Sequence, residues 1–390
     1  MKRRPFLTAL LGAILLVSTQ IVLAAEPIRV GATVSLTGDY ADLGKDQLEG
    51  TQMWADDLNG RGALLGRPVE LVYYDDASSP EKSAQLYERL ITKDRVDLLL
   101  GPYSSDITLA ASTVAEKHDF PMVALGAASS SIWARGYRNI FQIDTPAADY
   151  MDLPLALAYE KGLRRIALVY QASDFPREVA GGVRAQAAEY GMQIVFEEEY
   201  SPVRTSFDDI VTRMKRTSPE IVIGGTYFDD SIGLVRAAKQ ARLTPMMLVF
   251  TVGPALRDFG EQLGKDANGV MGAVAWMRSG KLPMAYDFSF RYKEKYGHNA
   301  AVQAAYGYGG GEVLEAAVRL AGSLDKDAVR AQLRDMVFIS MLGRYRVDEA
   351  GRQLGKTAYL MQWQDGDRLL VAPEHIADAP PQYPFSWSQH

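Results

Sequence analysis

The chain has 390 residues, 47% of them hydrophobic, with no cysteine and a formal net charge of −6 at pH 7. This is enough apolar material for more than one core, so two domains or lobes are favoured and disorder is not the default. The acidic balance leaves no electrostatic footprint for nucleic acid, and without cysteine there is neither a disulfide nor an acylated anchor.

Lys2, Arg3 and Arg4 precede an apolar run from Phe6 to Leu23, which is interrupted by Ser18, Thr19 and Gln20 and closed by Ala24 and Ala25. This is the pattern of a secretory signal peptide over 1–25, cleaved near Ala24 or Ala25; the polar interruptions and small closing residues weigh against a membrane span. Arg3, Arg4, Phe6 and Leu7 also fit twin-arginine export. Removing the three cations takes the formal charge from −6 to −9, and the product is expected free in a bacterial periplasm.

From Ile28 onward strands and helices alternate, the pattern of a parallel sheet covered on both faces. The first strand is predicted over Ile28 to Val34, followed by a loop through Gly38 and Gly44 and a helix from about Lys45 to Leu58, which Asn59, Gly60 and Gly62 end. Val69 to Tyr74 is the next strand. It runs into Asp75 and Asp76, after which Ser79 can cap a helix with Pro80 in its first turn.

The stretch Val96 to Ser112, VDLLLGPYSSDITLAAS, organises this half. A buried strand is stopped by Gly101 and Pro102, and Ser104, Ser105 and Asp106 open a helix whose unpaired amides would point at an anion. The same grammar repeats in Phe120 to Leu125, followed by Gly126, Ala127, Ala128 and the hydroxyls Ser129, Ser130 and Ser131. Two such loops at strand C-termini predict one pocket.

Ile140 to Ile143 is read as a strand crossing toward a second lobe. There, strands are predicted at Arg165 to Tyr170, Ile194 to Glu199, Ile221 to Gly224 and Met247 to Thr251. Helices are predicted over Asp149 to Lys161, Glu178 to Tyr190, Phe207 to Arg216 and Ser231 to Ala241. Near Val270 to Ala275 the chain returns, and helices over Pro283 to Tyr296 and Ala301 to Ala321 should cover the first lobe. Tyr359 to Trp363 with the turn Asp365, Gly366, Asp367 reads as a hairpin. Beyond Pro373 the proline-rich tail is assigned no firm structure.

The chemical inventory is thin. His118, His298, His375 and His390 have no partner at metal-ligand spacing, and neither a G-x-S-x-G elbow nor a phosphate loop occurs. No catalytic residue, metal or cofactor is therefore expected. Gly307, Gly309 and Gly311 lack the preceding apolar strand of a dinucleotide turn, so close helix packing is the weightier reading. Asp75 and Asp76 are an acid pair, a cation site or, with more weight, caps of the following turn and helix. The hydroxyls of Ser104, Ser105 and Ser129 are helix caps or ligand donors, and the residues alone leave these even.

The order of segments resembles the periplasmic branched-chain amino acid binding family, the leucine/isoleucine/valine-binding proteins of ABC transporters. The resemblance runs from Ile28 to about Gln364. It is carried by IRVGATVSLTG from Ile28, NGRGALLG from Asn59, YYDDASSP from Tyr73, Gly101 to Ser105, and Gly224 to Tyr227. It implies an α/β type I periplasmic binding fold: two Rossmann-like lobes with parallel sheets and a three-crossover hinge that closes over a ligand. The lobes would be 26–144 with 275–355, and 145–274 with 356–390 including the tail.

By the same resemblance Ser105 takes the carboxylate-binding serine position, Ala127 the carbonyl position, and Ser129 the place of a threonine. Leu43, Tyr103, Phe175 and Tyr227 would line the side-chain pocket, with Ser104 and Thr251 beside them. Ser78 and Ser104 stand where well-known members carry a disulfide pair, so both halves of that bridge are absent together. Those members also place an acid after the strand Met247 to Thr251 to meet the ligand ammonium, where this chain has Thr251, Val252 and Gly253. A buried unpaired ammonium costs on the order of several kcal/mol. Either the ligand lacks an α-amino group, or Asp174, Asp229 or Asp230 serves; the aromatic residues tilt the reading toward an amino-free, aromatic carboxylate. The implied function is a monomeric substrate-binding protein that delivers a small carboxylate to an inner-membrane ABC permease. A ligand sensor presenting its closed form to a receptor is the alternative, and a secreted enzyme on the same lobes is a third class.

Overall fold

The computed structural model describes residues 26–387; the expected signal peptide lies outside them. The chain forms two α/β lobes, each built on one large sheet. The first sheet comes from β1 (Ile28–Val34), β2 (Val69–Asp75), β3 (Leu98–Leu100), β4 (Met122–Ala124) and β5 (Ile140–Gln142), interleaved with α1 (Ala41–Gly60), α2 (Pro80–Thr92) and α3 (Ser105–Lys117). All its pairings are parallel, in the order β2-β1-β3-β4-β5. β3 and β4 are buried throughout, as the apolar run of a strand covered on both faces requires.

The second lobe contributes α4 (Asp152–Glu160), β6 (Arg165–Gln171), α5 (Asp174–Glu189), β7 (Gln193–Tyr200), α6 (Asp208–Arg216), β8 (Ile221–Gly225), α7 (Phe228–Gln240), β9 (Met247–Phe250), α8 (Arg257–Leu263) and β10 (Met271–Val274). Then come α9 (Pro283–Tyr296), α10 (Val302–Ala321), α11 (Lys326–Asp335), the small antiparallel pair β11 (Phe338–Ser340) and β12 (Gly343–Tyr345), and β13 (Tyr359–Gln364) and β14 (Asp367–Ala372). The second sheet has the order β14-β13-β10-β9-β8-β6-β7. It is parallel from β10 to β7, and β13 and β14 add an antiparallel hairpin at the other edge. Asp365 and Gly366 both have positive φ, as a tight hairpin turn demands. The edge strand β7 carries Glu197, Glu198 and Glu199, charges that discourage further pairing.

Three helices start earlier than the sequence suggests. α1 begins at Ala41, so Gly44 is a helix residue and not part of the loop. Its reason for being glycine is proximity, since a Cβ there would lie 2.1 Å from the Ser35 carbonyl oxygen. α5 begins at Asp174 and α7 at Phe228, which brings Phe175 and Tyr227 to helix starts. The tail is also ordered, contrary to expectation. Phe385 is buried in the second core, Trp387 Nε1 donates to Leu243 O at 3.0 Å, and Gln362 and Gln364 hold the carbonyls of Gln382 and Pro380. Extended, proline-rich backbone is satisfied here by amide side chains of β13.

α1 packs on α10 through small residues. An added Cβ would meet Ala304 O at 1.9 Å from Gly50, Gln47 O at 2.1 Å from Gly307, and the Trp54 ring at 2.2 Å from Gly311. The glycine pattern of α10 is thus a packing face. Gly50→Ala should destabilise the chain by about 1–3 kcal/mol in urea unfolding through overpacking. Gly60→Ala, at the end of the same helix with open space around it, should be neutral or slightly stabilising; equal costs would contradict the close-approach account.

Candidate ligand-binding site

The C-terminal strand ends of the two sheets face each other. Ser131 Oγ, after β4, donates to Asp174 Oδ2 at 2.5 Å, and the Asp174 amide donates to Asp106 Oδ1 at 3.4 Å. The Tyr40 ring lies 5.4 Å from that of Tyr227. These contacts hold first-lobe loops against second-lobe helix starts.

On the first lobe, Ser104 caps α3 by accepting from Ile107 N at 3.4 Å. Its backbone, φ 79° and ψ 159°, lies in a region that only glycine enters freely, the kind of strain found at ligand clamps. Ser105 Oγ accepts from the amides of Ala128 at 3.1 Å and Ser129 at 3.2 Å. Its lone pairs are thereby engaged and its proton is left to donate. A hydroxyl oxygen seated on two amides at a helix start marks where a carboxylate oxygen would be stabilised.

The cavity these loops enclose is walled by Tyr103, Ser104, Ser105 and Ala128 on one side and by Phe175, Tyr227 and Val252 on the other. Its free volume is ≈ 30 Å³, well under the roughly 300–1,000 Å³ usual for small-molecule sites, because its own aromatic side chains fill it. The rings form a connected set: Tyr40 meets Tyr103 edge-on at 5.5 Å, and Phe175 lies 5.2 Å from Tyr150 and 6.3 Å from Tyr227.

Asp144, Tyr150, Gln303 and Tyr306 close the cavity. Asp144 Oδ1 accepts from Tyr306 OH at 2.7 Å, Tyr150 OH at 3.0 Å and its neighbour's amide, Thr145 N, at 2.7 Å. Burial pushes its carboxyl up to about 6, against the pull of the Tyr306 hydroxyl, the Lys356 charge and the Tyr150 hydroxyl. Burial likewise pushes Lys356 down to about 8, and Asp144 counters it.

The structure gathers five of the anticipated residues on the cavity wall: Tyr103, Ser104, Ser105, Phe175 and Tyr227. Four others stand elsewhere. Ala127 is buried in the first-lobe core, with Ala128 on the wall instead. Ser129 is buried with its hydroxyl 3.3 Å from that of Ser131, and Leu43 is buried within the fold. Thr251 Oγ1 accepts from Thr226 N at 2.8 Å and donates to Thr226 O at 2.6 Å, so it fastens the ends of β8 and β9 while Val252 reaches the cavity.

None of the three proposed ammonium partners is on the wall. Asp174 is held by Ser131, Asp229 is exposed, and Asp230 accepts from Gln171 Nε2 at 2.8 Å. The acid that does line the cavity is Asp144, which sequence reasoning passed over as part of a crossover. The available signal was an acid directly after a fully buried strand. Asp75 and Asp76 act as turn caps, accepting from Leu36 N and Ala77 N, and from Ser35 Oγ and Ser78 N respectively. Among the described residues, Asp46 and Glu49 of α1 come within 4.8 Å of His298, although their sequence spacing gave no sign of it. That grouping is half-buried, and His298 Nε2 already contacts Glu49 at 3.2 Å.

Two Rossmann-like lobes whose strand ends enclose a small cavity define the type I periplasmic binding architecture. A family model described as "Periplasmic binding protein" matches residues 27–368. The chain belongs to that family. It is similar to Leu/Ile/Val-binding protein homolog 7 of Brucella suis biovar 1 (strain 1330), with 23% identity over 373 residues that cover 91% of this chain and 93% of that protein. It shares its fold with the branched-chain amino acid transporter substrate-binding protein of Streptococcus pneumoniae in complex with isoleucine: TM-score 0.79, 21% identity, 92% of this chain and 100% of that one. It shares it equally with an ABC-transporter solute-binding protein of R. palustris in complex with benzoate: TM-score 0.79, 19% identity, 91% of this chain and 97% of that one.

With its folded pKa raised above 3.8 to about 6, Asp144 holds its proton more tightly in the folded chain. Its contribution to stability therefore declines as pH rises across that window and is constant above it. Tyr306→Phe removes a donor to the charged form. It should cost about 1–3 kcal/mol at pH 8 and distinctly less at pH 4.5, read from urea unfolding at the two pH values. Equal losses would show that Tyr306 does not support the Asp144 charge.

Proposed function

We propose that this protein binds a small amino-free carboxylate with an aromatic or similarly flat apolar body, and hands it to an ABC permease of the inner membrane. The observation that carries the reading is Ser105 Oγ on the amides of Ala128 and Ser129, opposite a wall of aromatic rings. The ligand carboxylate would accept the Ser105 proton, and its body would lie against Phe175 and Tyr227, whose rings, 6.3 Å apart, would part to admit it. In this account 26–144 with 275–355 and 145–274 with 356–390 are the moving lobes, and residues 1–25 direct export to the periplasm.

The isoleucine and benzoate named with the two structural neighbours share a carboxylate and an apolar body, which supports the common part of this reading. A second reading, a hydrophobic amino acid, draws support from Asp144 and from Gln303 Oε1, a buried acceptor without a partner, as places for an ammonium. The amino-free reading is preferred because Asp144 already accepts three hydrogen bonds and has Lys356 as a counter-charge.

A thermal-shift panel on refolded, ligand-stripped protein separates the two. A ligand at a hundredfold its Kd stabilises by about 2.7 kcal/mol, so benzoate-type carboxylates should raise Tm and branched-chain amino acids should not. In the responding ligand, Ser105→Ala should weaken binding by about 1–3 kcal/mol. Unchanged affinity would remove Ser105 from the site, and a shift with amino acids alone would favour the second reading.

A further inference from the structure

A larger cavity adjoins the first and shares Ala255, Val274 and Val302 with it. The two differ sharply in free space. The inner cavity has a free volume of ≈ 30 Å³ and the outer one ≈ 430 Å³. The first holds about two waters at most, because its own aromatic side chains fill it.

The outer cavity is bounded by residues after β10, by α9 and by the β13–β14 hairpin, and its polar groups are mostly donors. Trp276 and Ser289 line it, are 4% and 5% exposed, and have indole Nε1 and hydroxyl Oγ atoms without any partner. Those two atoms have almost no accessible surface of their own, so Arg368 is the polar group that the cavity presents. Arg368 enters the same space; its Nη1 donates to Ala255 O, and among the described residues no carboxylate lies within ion-pair distance of it. Arg278 stands over the Tyr286 ring at 5.3 Å. Two acids also border the cavity: Asp378, which already accepts from Ser279 Oγ at 3.0 Å, and the exposed Asp367.

We propose that this outer cavity is a second subsite, which takes the anionic, acceptor-bearing far end of an elongated ligand whose near carboxylate sits at Ser105. Arg368 binds that far end. The proposal rests on the inner-pocket reading and narrows it to dicarboxylates, or to carboxylates with a distal acceptor.

Calorimetric titration of benzoate and hexanoate against terephthalate and the series adipate to sebacate tests it. At least one dicarboxylate should bind about tenfold or more tightly than its monocarboxylate counterpart, as expected for added hydrogen bonds to a charged group. Arg368→Gln should remove most of that advantage and leave monocarboxylate affinity unchanged, and Arg368→Lys, which keeps the charge, should retain part of it. Monocarboxylate binding with no gain from a second carboxylate, or equal losses for both classes in the variants, would overturn the outer subsite alone. Failure of every carboxylate to bind would overturn the inner-pocket reading and this proposal together.

Discussion

Asp144 is the point on which the arrangement turns. It lies on the first passage between the lobes and accepts hydroxyls from Tyr150, which precedes α4, and from Tyr306 of α10. Lys356, on the last passage before β13, donates to the adjoining Ile143 carbonyl at 2.9 Å. Two crossovers and the helix that covers the first lobe thus meet at one buried charge. A buried carboxylate without partners would cost several kcal/mol, so the three donors and the neighbouring ammonium must stay together. The cavity beside that node inherits a fixed floor.

The walls of the cavity depend on close backbone approach. Gly50 and Gly307 let α1 and α10 touch main chain to main chain and Gly311 seats the Trp54 ring, and this sets where Gln303 and Tyr306 project. Gly126 packs on the Tyr103 ring, which lies 2.6 Å from where its Cβ would be, and so sets one wall. The resulting pocket is apolar with a few converging polar groups, the usual character of a small-molecule site. Specificity then rests on which donors the ligand leaves unpaired, since an unmade hydrogen bond in a closed site is costly.

Much of the fold was legible because the strands are short apolar runs with glycine, proline or hydroxyl residues at their ends. Helix starts were legible where a side chain caps them, as Ser79 and Ser104 do. They were misread at Tyr40, Ser173 and Tyr227, which make no side-chain cap bond; there tertiary contacts, not a local signal, begin the helix. The site divides the same way. Tyr103, Ser104 and Ser105 follow a strand in sequence and could be read locally. Asp144 and Tyr306 are 162 positions apart, and nothing in either neighbourhood announces the other. The orphaned Trp276 and Ser289 appear only once α9 has been folded over the end of β10.

The central claim is that a carboxylate is held at the facing strand ends by the Ser105 hydroxyl, whose oxygen is seated on the Ala128 and Ser129 amides. The most direct test is a crystal structure of the protein with the highest-affinity carboxylate from the binding panel. The account predicts a carboxylate oxygen within about 2.5–3.0 Å of Ser105 Oγ, and an apolar body against Phe175 and Tyr227. A ligand seated with its carboxylate away from Ser105, or bound outside the space between the lobes, would contradict it.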